Sequence, residues 1–223
     1  MVYVGKDDAK IPSLRQRIVE KGFEPPMLIF VQSKTRAKEL HRELKYDGMN
    51  VEVIHGDCKK ADRDSIIKKF RVGQVWMLIC TDLMARGIDF KTVNSVVNFD
   101  FPTSIVSYIH RVGRTGRAGR EGSAMTMFTD DDAPYVKAIA TLIEKSGGDK
   151  MPEWMAQLKS ADNKDWKRLE MKPTKRKHLS TDIERNTNKR VMKMIRKDTG
   201  KLARGAIKAQ GDAQAKTDWQ EAE

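Results

Sequence analysis

Cysteine is scarce in this chain. Cys58 and Cys80 are the only two in 223 residues, and neither belongs to a Cys and His cluster of the kind that holds zinc. A disulfide framework and a structural zinc site are both excluded. No stretch reaches the roughly 18 consecutive apolar residues of a membrane-spanning helix. The opening MVYVGKDDAK also lacks the basic-then-apolar order of a secretory signal. These absences predict a soluble chain of a reducing compartment with no membrane partner.

Positive charge is what the sequence has in excess. There are 43 Lys and Arg against 31 Asp and Glu, a net of +12, which favours an anionic partner, nucleic acid first. The length suits one medium domain with an appendage, or two small domains. Short apolar runs punctuate the chain up to Ser146-Gly147-Gly148 and then give way to Lys, Arg, Gln and Asp. Residues 150–223 hold 19 Lys and Arg against 11 Asp and Glu, so +8 of the net charge lies there. The division predicted is a domain over 1–148 and a basic, partly helical extension over 149–223.

Within the domain, Met27–Val31, Val51–Ile54, Trp76–Cys80, Val93–Val97 and Ala124–Phe128 read as buried strands. Between them, Thr35–Tyr46 carries Ala37, Leu40 and Leu44 at helical spacing, and Ala61–Phe70 carries Ile66, Ile67 and Phe70. Strand alternating with helix predicts an α/β domain with a parallel sheet. In such sheets the ligand crevice lies beyond the carboxyl ends of the strands, so the loops there are where chemistry is to be sought.

Those loops are rich in groups suited to phosphate and ribose: Gln32-Ser33-Lys34, His55-Gly56-Asp57, Thr81-Asp82 with Ala85-Arg86-Gly87-Ile88-Asp89, and Asn98–Pro102 leading to His110–Arg117. Arg111, Arg114 and Arg117 recur every third residue among glycines, a spacing that can aim guanidinium forks at phosphate oxygens. The same segment also suits a flexible Gly-Arg loop on RNA backbone. Asp89 can accept from a ribose hydroxyl or cap a helix. Ser33 and Thr81 can cap helices or bond a phosphate. Asp130-Asp131-Asp132 looks like a metal cluster but reads better as the acidic start of a helix over Tyr135–Lys145.

The ordered set resembles the C-terminal RecA-like lobe of a DEAD-box RNA helicase over about residues 1–146. Ile29–Ser33 resembles motif IV, His55-Gly56-Asp57 through Arg63 motif IVa, Thr81-Asp82 with Ala85–Asp89 motif V, and His110–Arg117 motif VI. Lys60 departs from the pattern, standing where the family carries Gln. The resemblance implies a RecA-like parallel sheet flanked by helices, with ATP as cofactor. By it Arg114 and Arg117 act as arginine fingers and Gly87 and Asp89 hold the nucleotide. His110 and Arg111 join the catalytic set and, with Arg86, face the other lobe. Ser33, Gly56, Arg63, Thr81 and Gly87 follow the RNA backbone.

Features such as Gly22-Phe23, Asp100–Ser104 and Pro152-Glu153-Trp154 further resemble the nucleolar branch that assists small-ribosomal-subunit assembly. They imply pre-rRNA and preribosomal proteins as partners and a nuclear, nucleolar location. The family's phosphate loop, its Asp-Glu-Ala-Asp box and its Ser-Ala-Thr switch are missing from this sequence. Magnesium would then be held mainly by an N-terminal lobe that this chain lacks, and the chain alone would be inactive. A nonenzymatic RNA-binding assembly platform is the rival reading. In the extension, Thr181 and Glu184 have capping-box spacing and open a basic helix candidate through Lys197.

Overall fold

The computed structural model describes residues 1–20, 24–82, 93–116 and 121–179. Six strands form one sheet in the order β1-β6-β5-β2-β4-β3. They are β1 (Val2–Tyr3), β2 (Met27–Phe30), β3 (Val51–Ile54), β4 (Met77–Cys80), β5 (Ser95–Asn98) and β6 (Ser123–Phe128). Every pairing is parallel, as the alternation of strand and helix predicts. β1 is two residues long and carries no readable alternation of its own. β5 begins later than predicted because Val93 instead bridges to Thr115.

The helices are α1 (Lys10–Glu20), α2 (Lys34–Tyr46), α3 (Lys60–Arg71), α4 (Ile105–Val112), α5 (Ala133–Lys145), α6 (Glu153–Ala156) and α7 (Asn163–Met171). Ser33 starts α2 by accepting the Arg36 backbone N–H at 3.3 Å, and Ser104 starts α4 by accepting that of Ser107 at 3.1 Å. Both hydroxyls answer helix donors that have no partner within the helix. The acidic run after β6 forms a tight turn over Asp130–Asp132, with Thr129 and Asp132 completing a capping box ahead of α5.

Alternate residues of the central strands face opposite sides of the sheet, and both sides are covered. Ile29 and Val31 pack with Leu14 of α1, Leu40 and Leu44 of α2, and Val51 and Ile79 of the neighbouring strands. Leu28 and Phe30 pack on the other side with Ile54, Phe70 of α3, Leu78 and Cys80. Burial pushes the Cys80 thiol up to about 12, so Cys80 behaves as a small core hydrophobe. Outside the core, Arg15 ties α1 to the end of α2, its Nε 2.6 Å from Asp47 Oδ2.

The segment after residue 148 packs back on the domain as far as the described residues extend. Met155 joins Phe101, Tyr108, Phe128, Val136 and Ile139 in a third apolar cluster, with Trp166 packed against it. Trp166 also meets Tyr135 edge-on, ring centroids 5.0 Å apart. Leu179 is buried in the same cluster as Leu14 and Leu40. Residues 149–179 thus add core to the sheet domain, although their sequence reads as polar and basic. The helix candidate from Thr181 to Lys197 lies outside the described residues. Leu179→Ala is expected to destabilise the chain by about 2–5 kcal/mol, as other buried leucine truncations do. A shifted denaturant midpoint would register this, and an unmoved one would mean that the segment only drapes over the surface.

Candidate nucleic-acid and nucleotide interface

Because all strands are parallel, their carboxyl ends lie along one edge of the sheet, and the described residues of the loops singled out in the sequence start from there. At the β2 end Ser33 serves as the helix cap described above. At the β3 end His55 is buried and its Nδ1 accepts the Asp57 backbone N–H at 3.2 Å. Burial, with Lys38 adding to it, lowers the His55 pKa against the opposing pull of Asp57. Asp57 is exposed and receives Lys34 at 3.1 Å and Lys38 at 3.3 Å from α2. Those two lysines hold its carboxyl below the ordinary range.

Gly56 sits exposed between these anchored neighbours, and a Cβ built on it would meet nothing within 4 Å. The fold itself does not require glycine there, while a backbone approaching from outside would. Arg63, on the first turns of α3, is part-exposed, with Nε 4.0 Å from Asp64. Thr81 follows β4 directly and is also part-exposed.

Arg111 has a different role from its neighbours. It is 2% exposed, its Nε and Nη2 donate to Asp82 at 2.6 and 2.8 Å, and its Nη1 donates to Asn98 Oδ1 at 3.2 Å and to the Asp100 carbonyl at 2.8 Å. Its guanidinium carbon lies 5.2 Å from the centre of the Phe30 ring. Ser107 Oγ adds a bond to Asp82 at 3.1 Å. The sequence spacing suggested forks sharing one direction, but that of Arg111 is engaged inside the lobe, where it locks α4 to the ends of β4 and β5. His110, one residue before it, is exposed.

Past the helix end, the backbone around Arg114 is bracketed. Its N–H donates to Arg111 and its carbonyl accepts from Val93, both at 3.2 Å. Thr115 Oγ1 donates to the Val93 carbonyl at 2.7 Å. Gly122 permits this approach, since a Cβ there would fall 2.0 Å from Thr115 Oγ1 and 2.5 Å from the Gly116 nitrogen. Arg114 itself is half-buried at the strand ends. The other predicted site residues, Arg86, Gly87, Asp89 and Arg117, lie outside the described residues.

Sequence reading missed a buried ion cluster beside this edge. The Asp100 carboxylate, with no exposed surface, accepts Lys10 Nζ at 2.9 Å, Arg36 Nε and Nη2 at 2.7 and 2.8 Å, and the Gln32 backbone N–H at 3.0 Å. Asp7 lies 3.0 Å from Lys10 and 3.6 Å from Arg36. Burial alone would raise the Asp100 carboxyl, but Lys10 and Arg36 overcome it and hold the group well below the usual carboxylate range. A signal was present: Lys10 falls at the position that Leu14 and Ile18 continue along one helix face. Among the described residues no group of three His, Cys, Asp or Glu side chains could hold a metal ion.

The helicase conserved C-terminal domain family matches residues 9–119. The chain is 50% identical over 181 residues to the "Probable ATP-dependent RNA helicase ddx52" of Dictyostelium discoideum, covering 81% of this chain and 27% of that protein. It is 46% identical over 190 residues to the "ATP-dependent RNA helicase ROK1" of Yarrowia lipolytica, covering 85% of this chain and 35% of that one. The chain thus spans about a third of the length of these relatives. Among solved structures, the C-terminal domain of the DEAD-box protein Dbp5 is similar, with 32% identity and a TM-score of 0.57 over 77% of this chain and 94% of that one. The RNA-helicase Prp28 from Chaetomium thermophilum bound to ADP gives 34% identity and a TM-score of 0.63 over 70% of this chain and 38% of that one.

Asp100→Asn is expected to cost about 3–5 kcal/mol, because it leaves Lys10 and Arg36 buried without their anion. In the unaltered chain the folded state holds this carboxyl below its unfolded value of about 3.9, so its stabilisation is full well above that pH and drains away progressively as the pH falls from there toward the lower folded value. Denaturant titrations between pH 7 and pH 3 check both statements. An acid-induced loss of equal size in the Asn variant would contradict the assignment to Asp100.

Proposed function

The chain belongs to the DEAD-box helicase family as its C-terminal lobe, and on that premise we propose that it supplies half of a split site that closes over ATP and RNA. The observation that carries this reading is the arrangement at one sheet edge. Gly56 is open to a close backbone approach, Ser33 and Thr81 follow strands that end along the same edge and Arg63 lies on the first turn of the helix after Gly56, while the Arg111 lock and the Thr115 anchor fix the position of Arg114. RNA would run along the first group by its sugar-phosphate backbone, without reading bases. Arg114, together with Arg117, would bring positive charge to the transferring phosphoryl group once a first lobe closes.

On this reading the lobe would bind a nucleotide from one side only. Gly87 and Asp89 would hold ATP from this lobe, and magnesium would rest mainly on carboxylates of the first lobe. ATP would supply a γ-phosphoryl group whose transfer to water lets the closed lobes reopen. The protein's own part is to place Arg114, to exclude water on closure, and to hold RNA at Gly56 so that RNA and ATP favour the same closed state. Arg111 acts from inside the lobe by fixing the helix end that precedes Arg114. His110 and Arg86 would meet the facing lobe.

The finer setting we propose is remodelling of pre-rRNA or preribosomal particles during small-subunit assembly in the nucleolus. It is supported by the excess of positive charge and by the sequence features shared with that branch, and preribosomal proteins are then the partners to seek.

RNA-stimulated ATP hydrolysis tests the reading in three proteins: this chain, the chain joined to a DEAD-box first lobe, and the joined form carrying Arg114→Ala. Negligible turnover is expected from the chain alone, turnover from the joined form, and a fall of about 10³-fold or more on removing the finger. A joined form that binds RNA but hydrolyses no ATP would favour a nonenzymatic platform. Separately, Gly56→Ala should leave the unfolding midpoint unchanged, since its Cβ meets nothing within 4 Å, yet weaken single-stranded RNA binding. Unchanged affinity in that variant would remove Gly56 from the RNA path.

A further inference from the structure

After α7 ends, residues 172–179 cross the carboxyl edge of the sheet as an extended strap. Near the end of β6, Arg176 is 3% exposed by side chain; it donates to Asp132 Oδ1 at 2.6 Å and to Thr129 Oγ1 at 3.1 Å, and lies 3.6 Å from Asp7. At the end of β2, the Thr174 carbonyl accepts Gln32 Nε2 at 3.0 Å. Over α2, the Lys177 carbonyl accepts Arg36 Nη1 at 2.5 Å, His178 pairs with Glu39 at 2.5 Å, and the Leu179 N–H donates to Glu39 at 3.0 Å. The contacts of residues 172–179 thus fall near the β6 and β2 ends and on α2, and Thr81 and Gly56 follow the β4 and β3 ends farther along the sheet.

Charge explains why the strap must dock. The cluster beneath it holds Asp7, Asp100 and Asp132 against Lys10 and Arg36, and it reaches neutrality only when Arg176 is counted. Removing Arg176 would leave a buried carboxylate without its cation, a state that low dielectric penalises heavily. The strap also holds Gln32 at a point of consequence. Gln32 donates its backbone N–H to Asp100 and its side chain to the strap, and Ser33 is the next residue. The carbonyl of Asp100 is in turn an acceptor for Arg111. The strap, the Ser33 loop and the helix end preceding Arg114 thus share one set of bonds.

We propose that residues 172–179 are a positioning strap for the RNA-facing loop of this lobe, with Arg176 as its anchor. Docked, the strap fixes the Gln32–Ser33 turn and forms one wall beside the open ends of β4 and β3. Arg176 is buried beneath it, so it acts on RNA only through that turn. The effect on RNA rests on the reading of function above; the effect on the turn does not.

The test uses the 223-residue chain and its Arg176→Ala variant. Amide hydrogen exchange is expected to quicken about tenfold or more at Gln32 and Arg36, whose N–H groups bond Asp100 and Ser33, while Leu78 and Ile79 of β4 stay protected. Single-stranded RNA affinity should fall about threefold to tenfold with the salt dependence unchanged. Arg176→Lys keeps the charge without the fork, and should quicken the same amides by less; it serves if the Ala variant does not fold. Equal exchange in variant and parent, or an equal rise in β4, would overturn the strap. So would a salt slope reduced by about 0.7, since that would mark Arg176 as a direct phosphate contact. If Arg63→Ala weakens RNA binding and Arg176→Ala does not, the strap's link to RNA falls and the function stands. If the unaltered chain binds no RNA, the functional reading fails, and exchange at Gln32 and Arg36 alone decides the strap.

Discussion

The Asp100 carboxylate receives four donors from three chain segments, Lys10 at the start of α1, Arg36 in the first turn of α2 and the Gln32 backbone ahead of α2, at 2.7–3.0 Å. It does so with no exposure to water, so each cation there is as dependent on the anion as the anion is on them. Hydrophobic burial on both sides of the sheet supplies the driving force for folding, but it is indifferent to how the loops beyond the strands are arranged. The ion cluster is not indifferent. It sets the start of α2 and the turn after β5 against each other, and those are two of the loops from which the candidate site is built.

A second buried contact carries that order to the other half of the edge. Arg111 reaches the Asp82 carboxylate, the Asn98 side chain and the Asp100 carbonyl from a single guanidinium, which is a use of the planar fork that lysine could not reproduce. The consequence is a division of labour among residues that look alike in the sequence. Arg111 is internal and holds the helix, His110 beside it is exposed, and Arg114 follows at a backbone position pinned by Val93 and Thr115. The site is rigid where its parts must be placed and open at Gly56, where a ligand backbone can approach.

Much of this was legible in the sequence. Five of the six strands read directly because short apolar runs mark them, β2 and β4 being apolar and buried throughout, and α2 and α3 read from their helical spacing. β1 did not, because two residues cannot show a period. The described strand ends that open the candidate loops lie along one edge, since parallel strands leave no alternative. What could not be read was which polar groups turn inward. Lys10, Asp100 and Arg111 are ordinary charged residues in a sequence and become core residues through partners such as those 11 to 90 positions away. The same holds for residues 149–179, whose composition reads as a solvated tail. Met155, Trp166, Arg176 and Leu179 are spaced too widely to form a recognisable stripe: the first two join one apolar cluster, Arg176 an ion cluster and Leu179 the core beside α1 and α2.

The central claim is that this chain is one side of a site completed by RNA, ATP and a second lobe together. The most direct measurement is the association of this chain with a separately prepared DEAD-box first lobe, followed by sedimentation with single-stranded RNA, with a nonhydrolysable ATP analogue, with both, and with neither. The result expected is a stable complex only when both ligands are present, because each binds across the two lobes and each favours the closed arrangement. Association that is equally tight without either ligand, or that never forms with both, would contradict the split site.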